Sequence, residues 1–394
     1  MWKTVKLGEI LKTGAGGTPL KSQKSYYEGG TIKWLLSGAV CERDIHDSKT
    51  HITEDGLANS SAKLFPINTV LVAMYGATAG QVGILRTEAA TNQAVCGIYP
   101  SKDYLPEFLY YYLTNYKETL LLEVSGVAQP NLSQVKIKNI PLPLISLAEQ
   151  QRIVAKLDAA FAEIDRAVEF ATSCLENTKA IINSTLNEFF IAEGKQWSVV
   201  PLADTCIIER GSSPRPIKQF LTEDEGVNWI KIGDTDKDGK YVRGTKEKIT
   251  FEGAKKSRSV RKGDFILTNS MSYGRPYIMD IDGCIHDGWF ALRLNENIDA
   301  EYYYYLLASP YVQNQFHTLA AGAVVKNISS DLVKRAVLPM PPLARQIEIR
   351  NRILAIEAQT EKAANCHRGK IQMLSYLKSA ILLQELQPPQ SEAA

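Results

Sequence analysis

The chain has 394 residues, 45% hydrophobic and 22% charged, the proportions of a folded globular protein, so wholesale disorder is excluded. Lys and Arg number 45 against 43 Asp and Glu, a net charge of +2. That balance excludes a histone-like protein and confines any nucleic-acid binding to local clusters of charge.

Residues 1–145 are rich in Gly, Thr, Ser and aromatics. Short apolar runs such as Thr69–Met74, punctuated by Gly and Pro, predict strands in a mixed α/β (α+β) globule. The Tyr-rich segment 107–122 has helical character. Residues 146–195 differ in kind. From Leu147 to about Phe190 neither Gly nor Pro occurs. Val154, Phe161, Val168, Leu175, Ile182 and Phe189 recur every seven residues, and Leu157, Ile164, Ala171, Thr178 and Thr185 form a second row. Alternating steps of three and four make a coiled-coil seam.

Residues 196–341 repeat the first globule. At an offset of 195, Trp2, Leu7, Gly16, Pro19 and Trp34 meet Trp197, Leu202, Gly211, Pro214 and Trp229. At 196, Leu142, Pro143, Leu147, Ala148 and Gln150 meet Leu338, Pro339, Leu343, Ala344 and Gln346. Residues 301–318 predict the counterpart of the Tyr-rich helix. Residues 342–386 predict a second long helix with a weaker seam, interrupted around Gly369-Lys370, and 387–394 read as a disordered tail. Each long helix has an apolar face that it cannot bury alone. The simplest solution pairs them as an antiparallel two-helix coiled coil between two globular heads in pseudo-two-fold tandem repeat.

Six cysteines form no CxxC pair, which argues against zinc ribbons and redox motifs. The opening MWKTVKLGEI lacks the order of a signal peptide. No run approaches the roughly 18 apolar residues of a membrane helix. The chain therefore reads as cytoplasmic and without a membrane partner. No catalytic pattern stands out either. GxxxxGK[ST] and HExxH are absent, Gly14-Ala-Gly16-Gly17 runs straight into the turn Thr18-Pro19, and His46, Asp47 and His51 read as a solvated loop. No catalytic residue, metal ligand or cofactor site is assigned.

Nucleic-acid signals are stronger. Between 240 and 262, nine basic residues (Lys240, Arg243, Lys246, Lys248, Lys255, Lys256, Arg258, Arg261, Lys262) face two acidic ones, Glu247 and Glu252. Lys3, Lys6, Lys12, Lys21 and Lys24 are a milder version in the first copy. Groups able to read base edges gather in loops: Thr78, Gln81, Asn92 and Gln93, then Asn269, Ser272, Tyr273 and Arg275. The copies differ most at these loops. Thr18-Pro19-Leu20-Lys21 stands opposite Ser213-Pro214-Arg215-Pro216. Two heads of one fold with different loops would recognise two different short sequences.

With these residues in view the chain resembles the DNA specificity subunit of type I restriction–modification systems. The features that carry the resemblance are Gly16-Gly17-Thr18-Pro19 followed by Trp34, Asn68–Gly80, Thr91-Asn92-Gln93, Gly126–Asn131, and Pro141–Gln150 opening a long helix. The second copy is less faithful, with Ser213-Pro214 for Thr-Pro and Asp287-Gly288 for Asn-Gln. The resemblance implies that each head is a target recognition domain for half of a split double-stranded DNA sequence, with the helices setting the spacer. It implies a non-catalytic chain. Two methylation subunits would supply S-adenosylmethionine binding and adenine-N6 transfer, and restriction subunits would supply ATP- and Mg2+-dependent translocation and cleavage. Contacts to DNA are expected from Thr18, Lys21, Lys24, Thr78, Gln81, Asn92 and Gln93 in the first head. In the second they are expected from Arg215, Lys255, Lys256, Arg258, Asn269, Tyr273 and Arg275. The alternative is a coiled-coil adaptor with two ligand-binding heads and no DNA specificity.

Overall fold

The computed structural model describes residues 2–122, 132–236, 239–269, 274–321 and 329–387. The motif segments at Gly126–Asn131 and Gly322–Asn327, Ser272 and Tyr273, and the tail beyond Gln387 lie outside them. The chain divides into two compact units, Met1–Phe170 with Gly369–Ala394, and Ala171–Arg368.

Three sheets build the first unit. The largest has five strands in the order Thr13–Ala15, Val95–Ile98, Val70–Ala73, Val82–Leu85 and Asp44–Ile45. Its central strands are buried on both faces, which is why they read as continuous apolar runs rather than alternating ones. A four-stranded sheet runs His51–Ile52, Ile32–Leu35, Ala89–Thr91 and Leu64–Phe65. Thr4–Lys6 pairs antiparallel with Pro141–Pro143, bringing the start of the head to the foot of its long helix. The Pro106–Leu122 helix covers the five-stranded sheet, placing Phe108, Leu109, Tyr111 and Leu113 in one core with Val70, Val72, Ile84 and Ile98.

The second unit repeats that wiring. Cys206–Arg210, Trp289–Leu294, Phe265–Thr268, Pro276–Met279 and Tyr241–Val242 follow the same strand order, and Val199–Pro201 pairs with Val337–Pro339. Its other sheet gains an edge strand, Leu221–Thr222. The duplication read from the sequence is thus a duplication of topology. The stretch 301–318 is helical as its composition suggests, as two helices, Ala300–Ala308 and Pro310–Ala321. The chain breaks at Ser309 because Pro310 disfavours helix in the residue before it, and Pro then suits the first turn of the next helix.

The long helices are Leu147–Asn187 and Leu343–Glu385. The first, 41 residues long, spans about 60 Å at helical rise. Leu157, Ile164, Ala171, Thr178 and Thr185 are all buried, one row of the predicted seam. The second runs unbroken through Gly369, where the seam reads as interrupted; one helix-interior glycine costs about 1 kcal/mol, too little to end a helix of this length. Inside the first unit, Lys156 Nζ lies 2.6 Å from Glu385 and Lys378 Nζ 2.8 Å from Asp165, and Leu382 and Leu386 join Ile153 and Leu157 in the core. Inside the second, Arg345 reaches Glu193 at 2.6 Å and Arg352 lies over Phe189.

Each head is tied to its helix by a buried glutamine. Gln150 accepts from Leu105 N–H at 2.9 Å and donates to the carbonyls of Asp103 and Ile145. Gln346 accepts from Asp299 N–H at 3.0 Å and donates to Pro341 O. No helix among the described residues is long and apolar enough to cross a membrane.

Candidate nucleic-acid interface

In the first head, two loops close on each other. Gly17 N–H donates to Thr91 O at 2.8 Å and Gly16 N–H to Val95 O at 3.1 Å. The approach requires glycine: a Cβ on Gly16 would stand 2.1 Å from Thr91 Oγ1 and 2.3 Å from Asn92 O. Trp34 Nε1 donates to Gly17 O at 3.0 Å and Tyr27 OH to Pro19 O at 2.6 Å, pinning the Gly-Gly-Thr-Pro turn from behind. At the front, the Thr18 hydroxyl donates to Gln93 Oε1. Asn92 Oδ1 accepts from Ala94 N–H, a local turn that points Gln93 outward. The Thr78–Gln81 turn joins them through Met74 N–H on Ala94 O and Ala73 N–H on Gln81 O. Thr18, Thr78, Gln81, Asn92 and Gln93 therefore sit on connected turns. Lys21 and Lys24 extend from the same loop and are exposed.

The second head closes the same loops with other side chains. Gly211 approaches the carbonyl of His286 so closely that a Cβ would stand 2.0 Å away. Ser213, counterpart of Thr18, hydrogen-bonds Asp287, counterpart of Asn92, at 2.8 Å. Arg215 stands 3.4 Å from the same carboxylate, its side chain 81% exposed. The Ser213 hydroxyl holds the Asp287 carboxyl below the usual carboxylate range, with Arg215 adding to it. Burial pushes the His286 imidazole below its ordinary value, although Asp287 pulls the other way. The neutral ring agrees with Gly288 N–H donating to Nδ1 at 2.7 Å, so we do not count the 3.6 Å His286–Asp287 approach as an ion pair.

The remaining expected contacts separate. Asn269 is buried and donates to Asp287 O at 2.6 Å, so its amide supports the loop. Arg275 lies over the Tyr277 ring and Lys256 over Phe220. Lys255 is exposed at the end of the Phe251–Lys255 helix, while Arg258 is held by Glu209 at 2.7 Å. Tyr273 lies outside the described residues. The basic run at 240–262 is partly neutralised, five of its nine cations lying in ion pairs: Lys240 pairs with Glu301, Arg243 and Lys262 with Asp280, Lys256 with Glu252 and Arg258 with Glu209.

Ser213, Asp287 and His286 are missing from the sequence-derived contacts. The signal was available, since Ser213 and Asp287 stand at offset 195 from Thr18 and Asn92. Among the described residues no group of His, Cys, Asp and Glu could hold a metal ion. The first loop pair presents hydroxyl and amide groups, and the second hydroxyl, carboxylate and guanidinium groups, on turns fixed by main-chain bonds. Such groups are able to donate to and accept from base edges.

A 162-residue stretch is 28% identical to the EcoR124I/EcoR124II specificity subunit of Escherichia coli, and it spans 40% of each chain. Over 323 residues the identity to the Escherichia coli EcoBI specificity subunit is 22%, covering 75% of this chain and 68% of that one. Among solved structures, a chain from work on complex assembly and conformational transition of the type I R-M system superposes with a TM-score of 0.77 at 20% identity, covering 99% and 98% of the two chains. The HsdS subunit from Thermoanaerobacter tengcongensis gives 0.58 at 20%, covering 99% and 97%. These likenesses show a shared fold. The family model of the type I restriction modification DNA specificity domain matches twice, over residues 1–168 and 194–365, so the chain belongs to that family.

Proposed function

We propose that the chain reads a bipartite, asymmetric double-stranded DNA target, one half with each head, and positions partner subunits that act on it. The observation that carries this reading is the recurrence of one loop lock with different chemistry, Thr18 with Gln93 in the first head and Ser213 with Asp287 in the second. Heads of one strand order with unlike reading groups would recognise unlike half-sites, whereas a homodimeric repressor reads one half-site twice.

The long helices would act as the ruler between half-sites. Residue pairs 156 with 385 and 165 with 378 run in opposite order along the two helices, and 189 with 352 and 193 with 345, just past the end of the first, keep that order. That order supports an antiparallel coiled-coil pairing. Two methylation subunits would bring S-adenosylmethionine and adenine-N6 transfer, and restriction subunits would bring ATP- and Mg2+-dependent steps. Solved type I assembly work on a chain of the same fold supports such partners.

Methylome sequencing with and without the gene tests the proposal. Loss of adenine methylation at one asymmetric split motif is expected. An unchanged methylome, with partner-protein capture and no salt-dependent DNA binding, would instead establish the adaptor.

A further inference from the structure

In each head a cation lies over two adjacent tyrosines, the second of which hydrogen-bonds a carboxylate on that head's own long helix. In the first unit the Arg43 guanidinium stands 5.6 Å from the Tyr110 ring and 5.1 Å from Tyr111. It also binds Asp158 on the long helix at 2.7 Å, and the Tyr111 hydroxyl donates to the same carboxylate. Phe161, one turn further along, packs edge-on against Tyr111. In the second unit Lys240 stands 5.0 Å from Tyr304 and 4.6 Å from Tyr305. The Tyr305 hydroxyl donates to Glu357 on its long helix, and Lys240 binds Glu301 at 2.9 Å.

Both arrangements keep the cation on a tyrosine pair whose second hydroxyl reaches the long helix; Arg43 also binds the helix carboxylate itself, whereas Lys240 binds Glu301 on the head and acts through the Tyr305 ring. Arginine becomes lysine, and the helix carboxylate moves from Asp158 to Glu357. Tyr111 and Tyr305 match at offset 194, whereas Asp158 and Glu357 lie 199 apart, so a different helix position supplies the acid. Inherited sequence identity does not account for that shift; retention of a head-to-helix linkage does. The linkage lies apart from the reading loops, and beside it in the first unit runs a cleft of 520 Å3 lined by Arg43, Tyr111, Asp158, Phe161 and Lys378. Packing against the helix is therefore incomplete on that side, and the polar bonds carry the angular restraint. A cation over aromatic rings and a charged hydrogen bond are each directional.

We propose that Arg43 and Lys240 are positioning residues that fix the angle of each head on its helix, and so set how sharply the spacer between half-sites is discriminated. Rod length would choose the preferred spacer; these linkages would set the penalty for missing it. The inference rests on the bipartite reading above.

The test uses the full chain assembled with its methylation subunits, bound to duplexes that carry the intact half-sites and spacers from two base pairs short to two base pairs long. Arg43→Ala is expected to reduce the preference for the native spacer over its neighbours by about tenfold, equivalent to about 1.4 kcal/mol, with half-site preference unchanged. Arg43→Lys is expected to restore most of it, since lysine serves in the second unit. Tyr111→Phe removes only the hydroxyl and gives a smaller broadening if Arg43→Ala fails to fold. Weakening that is uniform across spacers, with no rescue by lysine, would show that the linkage only stabilises the fold. A wild-type complex without any spacer preference would refute the bipartite reading itself. A sharp wild-type preference that survives the substitutions refutes the positioning role alone.

Discussion

Replacing Gln150 with leucine removes the first head's buried tie to its long helix while keeping the side-chain volume close. Gln150 is fully buried and makes three hydrogen bonds, accepting from Leu105 N–H and donating to Asp103 O and Ile145 O. The Leu105 N–H loses its partner in a half-buried setting, which costs about 1–3 kcal/mol. Asp103 is exposed and Ile145 half-exposed, so water can replace part of what their carbonyls lose; that adds about 1 kcal/mol in all. The expected destabilisation is therefore about 2–4 kcal/mol, confined to the first unit. With two units a single global unfolding transition is not assured, so the assay is urea-dependent hydrogen exchange resolved by peptide. At a slope of about 2–3 kcal/mol per molar, the first unit's midpoint should fall by about 1 M while the second unit's stays put. Gln346→Leu should reverse the pattern. A shift below about 0.2 M in both would refute the claim that these amides fasten head to helix.

Arg215→Ala should relax one half-site only, by about 1–3 kcal/mol if the guanidinium makes a bidentate base contact, whereas Lys255→Ala should weaken binding evenly across sequences; competition binding with half-site variants separates the two. The second unit should lose stability as pH falls. His286 is held neutral below its ordinary value, so the unfolded chain takes up the proton first, and the stability present above about pH 6.5 declines as pH drops towards the folded-state value. His286→Gln should flatten the urea midpoint between about pH 7.5 and 5.5, and equal slopes in variant and wild type would exclude the residue as the cause. Deleting the seven residues from Glu169 to Leu175 shortens the helix by about 10 Å. It should change the spacer recognised and leave both half-sites intact, as read from the methylome.

The repeat and the helical seam were legible because both are periodic in one dimension. Leu157, Ile164 and Ala171 are buried as their spacing demands. The strand order was not legible, because it is set by pairings such as Cys96 with Ala15 that join distant segments. Ser309-Pro310 carries the local signal that divides the helical stretch 301–318 in two. The candidate site shows the sharper limit. Nine cations between 240 and 262 looked like an interface, but Glu209, Asp280 and Glu301, which neutralise Arg258, Lys262 and Lys240, lie 18 to 61 residues away in sequence. The Ser213–Asp287 bond spans 74 residues. A charge run reports composition, whereas binding depends on which charges remain after folding.

That distinction gives a quantitative consequence for the chain on its own. Of the cations expected to contact DNA, Lys256 and Arg258 are paired with carboxylates and Arg215 faces Asp287. Lys21, Lys24, Lys255 and Arg275 have no acidic partner within ion-pair distance among the described residues. If those four meet phosphates, log affinity should fall with log salt at a slope of about 3–4, since each phosphate neutralised contributes about 0.9. Between about 50 and 200 mM salt that is a loss of about a hundredfold. A slope measured for a complete complex that is steeper than the isolated chain's would come from cations on its partners. Fluorescence anisotropy of the isolated chain on specific duplex, titrated with salt, decides the matter. A slope of about 8 or more would mean that further cations of the run join, Lys246, Lys248 and Arg261 or those paired with Asp280 and Glu209, and that the run is an interface after all.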